Sequence, residues 1–390
     1  MKNVYVISDN IISSLGFSTS ENIQAIQKEE VGIAMVSDSR LSLNPLPLSL
    51  VDLQELNKQF TALLLAKGKN ISTDSYSKLE KLFILSIYNS LSGLSVNPRN
   101  ERVLLILSTT KGNIDLLEEQ NKTKFNHKRL YLWELGRVIQ DFHGFSNVPL
   151  IISNACISGL LAVLTASRFI RSGHYDHIVV AGGDLVSEFV ISGFQSFQAL
   201  SPDVCRPYDQ NRNGLALGEA CGTMVLSSQK PNAEGTMIEI KGGATTNDAN
   251  HISGPSRTGE ELSLAINNAL AGSDLIYKDI DYISAHGTAT PYNDEMESKA
   301  IALSHLMHVP LNSFKGYWGH TLGAAGVIES IAGMHALREN CLFRSAGYEI
   351  PGVSEPLNVI CKTETASLET CLKTASGFGG CNAAIIYQKE

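Results

Sequence analysis

No apolar run in this 390-residue chain reaches the ~18 residues a membrane helix needs. Its first residues, MKNVYVISDNIISSLG, carry an aspartate inside an apolar stretch too short for a secretory signal. A cytoplasmic protein is expected. The seven cysteines, Cys156, Cys205, Cys221, Cys341, Cys361, Cys371 and Cys381, contain no CxxC pair. An odd, scattered set suits neither a disulfide framework nor a zinc cage, so most should be reduced core thiols. His305 and His308 stand at helical spacing without a third ligand, and no metal site is expected. The net charge of −8 excludes nucleic acid as a main partner, because phosphate contacts need a concentrated basic surface. GxxxxGK[ST] and GxSxG runs are missing as well, which removes P-loop and serine-elbow chemistry.

What is present alternates. VYVIS, RVLLILS, PLIIS, HIVVAGG and GTMVLSS, then MIEIKGG, DYISAHG and AAIIYQ, are short β-rich runs separated by helical patterns, which argues for an α/β fold with parallel strands. No Pro/Gly/Ser-rich linker divides the chain. The nearest thing to a seam is Pro231–Gly235, placing two halves at 1–235 and 236–390. A faint repeat supports this: the segments from Val148 and from Val309 both run strand, tight turn, small-residue helix. Each sets a reactive side chain, Cys156 or His320, where strand turns into helix.

Cys156 follows Pro149–Ile152 and precedes the apolar helix pattern LLAVLTASRFI. A helix N-terminus favours the thiolate, the form that attacks carbonyls. Cysteine is also among the most buried residues, so the residue alone leaves nucleophile and inert core thiol equally open. His286, after the run Asp281–Ser284, and His320, in KGYWGHTLGAAG, each read singly as a hydrogen-bonded structural group. Together, both beside glycine at strand exits, they fit a crevice at the strands' carboxyl ends. Lys315 and Glu297 pair behind the histidines if the two loops meet; otherwise they are a surface lysine and a helix carboxylate. The glycines around Phe378 precede a strand, not a phosphate-binding helix, and suit a loop whose amides approach a reacting oxygen. In RPYDQNRNGLALGEACG, Asp209, Arg212 and Glu219 read as a buried polar network holding a loop, with Asp294 added from the NDEMES segment. Lys122, Lys124, His127, Lys128 and Arg129 form the one locally basic stretch, read first as a solvated face.

Five of these segments, SNACISG, RPYDQNRNGLALGEACG, HGTATPYNDEMES, KGYWGHTLGAAG and SGFGGCNAA, stand in the order and rough spacing of β-ketoacyl-acyl-carrier-protein synthases, which the chain resembles from VYVISDNIISSLG to IIYQK. The resemblance implies a thiolase-like five-layered αβαβα fold with two pseudo-duplicate halves. It implies an acyltransferase in which Cys156 carries the acyl group and His286 and His320 stabilise an enolate from malonyl-carrier protein. Lys315 and Glu297 fall on a supporting ion pair, and Phe378 on a gate whose amide shares an oxyanion hole with that of Cys156. His320 places the chain with elongating synthases, and the retained Cys156 sets it apart from chain-length partners. No cofactor is implied, since substrates arrive on the phosphopantetheine of acyl carrier protein. A homodimer, or a heterodimer with a related synthase-like chain, is implied, and Lys122 to Arg129 becomes the docking candidate for the acidic carrier. Two departures, Ser376 in place of an aromatic and the bulky Tyr317-Trp318, predict an altered acyl pocket or gate and a polyketide-like or polyene pathway beside fatty acid synthesis. The alternatives are a thiolase-like acyltransferase or thioesterase without condensation, and a non-catalytic chain-length partner.

Overall fold

The computed structural model describes residues 2–230, 236–249 and 254–390. The strands β1 (Tyr5–Ile12), β2 (Val103–Ser108), β3 (Leu150–Ile152), β4 (His177–Asp184) and β5 (Ala220–Ser227) come from the first half. From the second come β6 (Ile238–Asn247), β7 (Tyr282–Ser284), β8 (Leu311–Asn312), β9 (Thr370–Gly377) and β10 (Cys381–Lys389). They form one sheet in the order β8-β7-β9-β10-β6-β1-β5-β4-β2-β3. Read inward from either edge, each half runs third, second, fourth, fifth, first strand. In both, the outer three strands are parallel and the fifth is antiparallel to its two neighbours. One permutation used twice is the signature of a duplicated unit, and β1 pairs with β6 through Tyr5–Glu239 and Val6–Ile238 to join the copies. The seam residues Pro231–Gly235 lie outside those described.

Helices supply the remaining layers: α1 (Lys78–Leu91), α2 (Leu132–His143), α3 (Ser158–Arg171), α4 (Glu188–Ser196), α5 (Glu260–Ala271), α6 (Pro291–Leu303) and α7 (Ala325–Glu339). α1 and α2 cover the first half and α5 and α6 the second, while α3 and α7 lie between, each resting on strands of both halves. The result is five layers, αβαβα. α7 is buried on nearly all sides, which explains why its sequence lacks a polar stripe. Small residues let α3 and α7 meet backbone to backbone: a Cβ on Gly159 would stand 2.9 Å from Val327 N, and one on Gly326 2.3 Å from Leu160 N. Among the described residues no helix is long and apolar enough to cross a membrane.

Candidate active site

The duplicated topology brings the carboxyl ends of four strands to one place. Cys156 follows β3, His286 follows β7, His320 follows β8 and Phe378 follows β9, and all four line one cavity of about 430 Å³.

Cys156 sits in a strained turn. Ala155 adopts φ 45°, a left-handed value costly for a residue with a Cβ. Ser158 holds the turn, donating to Ala155 O at 2.6 Å and accepting from Asn154 N–H at 2.7 Å. The thiol is buried, and burial pushes it up to about 12, against the pull of Lys315, the Phe378 amide and Lys111. The sequence reading expected helix amides to favour a thiolate. That expectation fails because α3 begins only at Ser158, with Ile157 as its cap, and desolvation outweighs the partial charge there. Burial thus keeps Cys156 a thiol.

Both histidines are buried and neutral: burial, reinforced by Lys315, holds each well below the usual imidazole range. Their tautomers follow from their neighbours. His320 Nδ1 accepts from Leu322 N–H at 3.2 Å, so its proton is on Nε2, an atom with no hydrogen-bond partner among the described residues. Lys315 Nζ stands 3.3 Å from His286 Nδ1; an ammonium has no lone pair, so Nδ1 accepts and Nε2 again carries the proton. The rings lie edge to face, 5.5 Å apart. Two neutral N–H donors thus stand beside a buried thiol.

Lys315 does not pair with Glu297. It contacts Glu329 at 2.6 Å and donates to His286 O at 2.6 Å, while Lys373 reaches the other oxygen of Glu329 at 2.7 Å. Glu297 lies on α6, behind the His286 loop. There it accepts from the amides of His286 and Gly287 at 2.9 and 2.8 Å, from Tyr208 at 2.6 Å and from Thr374 at 2.7 Å. It shapes the loop; Glu329, on the central α7, holds the charge. Glu329 and Lys373 were missed, although a lone carboxylate in AGVIESIAG and a lone lysine in TCLKTASG, both in apolar elements, signal a buried pair.

Part of the predicted polar network forms. Asp294 accepts from the amides of Tyr208, Thr288 and Ala289, with Arg212 Nε at 4.0 Å. Asp209 accepts from the amides of Asn211, Glu349 and Ile350. Glu219 is not a member: it accepts from Val51 N–H at 3.0 Å and pairs with Lys78 at 2.5 Å, lining a second, polar cavity of about 720 Å³. Nor does the basic stretch line the cavity of Cys156. Lys122 pairs with Glu119, Arg129 is packed against Glu80 at 3.2 Å, Lys124 lines the second cavity, and Lys128 is exposed. Of the two sequence departures, Ser376 lines the site and donates to Asn382 Oδ1 at 2.7 Å. Trp318 does not: it is fully buried, stacked on Phe314 at 5.7 Å, because its segment turns into the central core.

Residues 134–232 match the family model "Beta-ketoacyl synthase, N-terminal domain", and residues 237–349 match "Beta-ketoacyl synthase, C-terminal domain". The chain belongs to the β-ketoacyl synthase family. It is 33% identical over 266 residues to a "Putative polyketide beta-ketoacyl synthase 1" of Streptomyces halstedii, covering 65% of this chain and 63% of that one. It is 31% identical over 248 residues to "3-oxoacyl-[acyl-carrier-protein] synthase 2" of Staphylococcus aureus, covering 60% of each. The β-ketoacyl synthase similarity in sequence thus spans about six-tenths of those relatives' length. Structural likeness covers the whole chain: a ketosynthase in complex with its chain length factor from Xenorhabdus doucetiae superposes with TM-score 0.86 at 23% identity, covering 100% of this chain and 98% of that one. A β-ketoacyl synthase from Burkholderia phymatum superposes with TM-score 0.85 at 22% identity, covering 100% of both. The first 133 residues precede both family-model matches.

Proposed function

We propose that this chain is an elongating β-ketoacyl-acyl-carrier-protein synthase that performs decarboxylative Claisen condensation. The observation that carries the reading is the pair of neutral Nε2–H donors, His286 and His320, beside the buried thiol of Cys156.

In the first half-reaction the Cys156 sulfur attacks the carbonyl of an acyl thioester on the carrier. The oxyanion is received by the amides of Cys156 and Phe378, the latter already directed at the sulfur. Collapse expels the carrier's pantetheine sulfur, which takes the proton the Cys156 thiol gives up. In the second, malonyl-carrier protein enters and its thioester oxygen accepts from His286 and His320. Loss of carbon dioxide leaves an enolate held by those donors, and its carbon attacks the acyl carbonyl on Cys156. The β-ketoacyl carrier departs, leaving a Cys156 thiolate that takes its proton from water as the cavity empties.

Neutral donors suit this step: they stabilise the enolate oxygen without quenching it by full proton transfer. Lys315 and Glu329 fix the His286 tautomer and act as positioning residues. The chemistry calls for no cofactor, because the phosphopantetheine arm of an acyl carrier protein brings both substrates. A pairing with a synthase-like chain and a carrier-protein partner are in keeping with the neighbours solved with a chain length factor and with an acyl carrier protein; a homodimer is the alternative assembly.

The test is acyl loading. Incubated with labelled acyl-carrier protein, the wild type should gain one acyl group on Cys156, and Cys156→Ala should gain none while keeping its fold; label retained by that variant would overturn the assignment. Loading without carbon dioxide release from malonyl-carrier protein would instead indicate an acyltransferase without condensation.

A further inference from the structure

Two buried lysines share Glu329, and their other contacts differ. Lys315 reaches the ring of His286, whereas Lys373, on β9, bonds main chain. Its Nζ donates to the carbonyls of Ser284 and Ala285, both at 3.2 Å, and of Thr374 at 2.8 Å, and meets Glu329 at 2.7 Å. Burial pulls it toward the neutral amine and Glu329 opposes the pull. All four neighbours are acceptors, however, and only the ammonium presents no lone pair to them. A second buried cation over one carboxylate is costly to the fold, so its use lies in what it joins.

Ser284 ends β7 and Ala285 precedes His286, so Lys373 grips the strand exit that delivers the histidine. The parallel register sets Lys373 directly opposite Ser284. Thr374, next along β9, faces the other side of the sheet, as alternate strand residues do. Its hydroxyl donates at 2.7 Å to the same Glu297 oxygen that accepts the His286 amide at 2.9 Å. One dipeptide thus holds the His286 loop from the α7 face and from the α6 face. The same strand runs on into Phe378.

On the proposed synthase reading, His286 holds the enolate oxygen, and the Phe378 amide holds the oxygen of the acyl carbonyl that the enolate carbon attacks. Bond formation needs the two reacting carbons about 3–3.5 Å apart, and a misplacement of about 1 Å can cost about 100-fold. Acyl loading uses the Phe378 side and decarboxylation the His286 side; condensation needs both in alignment. We propose that Lys373 and Thr374 are positioning residues that align the enolate-binding loop of His286 with the oxyanion loop of Phe378, and so couple decarboxylation to condensation.

The probes are Lys373→Met, which keeps an apolar stem without the ammonium, and Thr374→Val, which keeps the shape without the hydroxyl. Each protein is loaded with labelled acyl group from acyl-carrier protein and then given malonyl-carrier protein, and carbon dioxide and β-ketoacyl product are measured together. Wild type should yield the two in equal amounts. In Lys373→Met loading should change by less than about threefold, while carbon dioxide should exceed product about tenfold, within the loss that misalignment causes. Thr374→Val, which gives up one hydrogen bond, should show a smaller excess of about threefold. Thermal unfolding checks that each variant is folded, and if Lys373→Met is not, Thr374→Val decides. A purely structural role lowers both yields together and leaves their ratio unchanged, so a wild-type ratio in either folded variant would overturn the clamp. A wild type that takes up no acyl label, or releases no carbon dioxide, would overturn the synthase reading instead.

Discussion

Lys315 Nζ lies 2.6 Å from the main-chain oxygen of His286 and 3.3 Å from Nδ1 of the same residue. One ammonium therefore fixes both the loop that carries the imidazole and the nitrogen that keeps its proton. Replacing Lys315 with alanine frees the tautomer and removes a counter-charge from Glu329. Decarboxylation of malonyl-carrier protein should fall by about 10- to 100-fold, the usual cost of losing a partner that orients a working histidine. Acyl loading, measured separately, should fall less. Equal losses in both steps would show that Lys315 serves only the fold.

His320 offers a different separation. Its Nε2 has no hydrogen-bond partner among the described residues, which suits a donor reserved for substrate. His320→Ala should still take up acyl label on Cys156 but release little carbon dioxide from malonyl-carrier protein, with kcat for condensation down about 100-fold or more. A variant that neither loads nor condenses would place His320 in activation of the thiol.

Glu329 bridges two buried lysines, at 2.6 and 2.7 Å. Glu329→Leu leaves both cations uncompensated in the central layer. Breaking such a cluster costs about 3–5 kcal/mol, so the urea midpoint should drop sharply. Glu297→Gln should be milder toward Lys315, since Glu297 receives amides and hydroxyls. A Glu329→Leu protein as stable as wild type would refute the paired arrangement.

Stability against pH follows from the depressed imidazoles. Below about pH 6.5 the unfolded chain protonates its histidines while folded His320 stays neutral, so the unfolded state binds more protons and stability is lost as pH falls. His320→Asn removes that loss. Measured by urea titration, the variant should gain on wild type by up to about 1.4 kcal/mol per pH unit below 6.5. A difference that does not vary between pH 7.5 and 5.5 would mean that His320 is protonated in the fold.

Much of the site was legible. Cys156 and His286 each stand close after a strand's end, whereas His320 lies eight residues beyond β8, after the helical turn Lys315–Trp318; two strand-turn-helix segments announced the duplication that later appeared as one strand order used twice. Glu329 was hidden for a physical reason. Its helix is buried on both sides, so no polar stripe directs attention to it, and its partners Lys315 and Lys373 are 14 and 44 positions away in sequence. Trp318 misled in the opposite sense: adjacency in a motif placed it near His320, but the backbone turns its ring into the core.

By itself the sequence determined the local events: which runs alternate as strands, which residues sharpen a turn, and which chemistry-bearing side chains sit at strand ends, because these depend on neighbours along the chain. The tertiary structure decided which charges meet, which tautomers the histidines hold and whether the thiol is ionised. Those depend on burial and on partners brought together across β7, β8, β9 and α7. Ion pairing and desolvation act through space, and their sign is set only when the layers close.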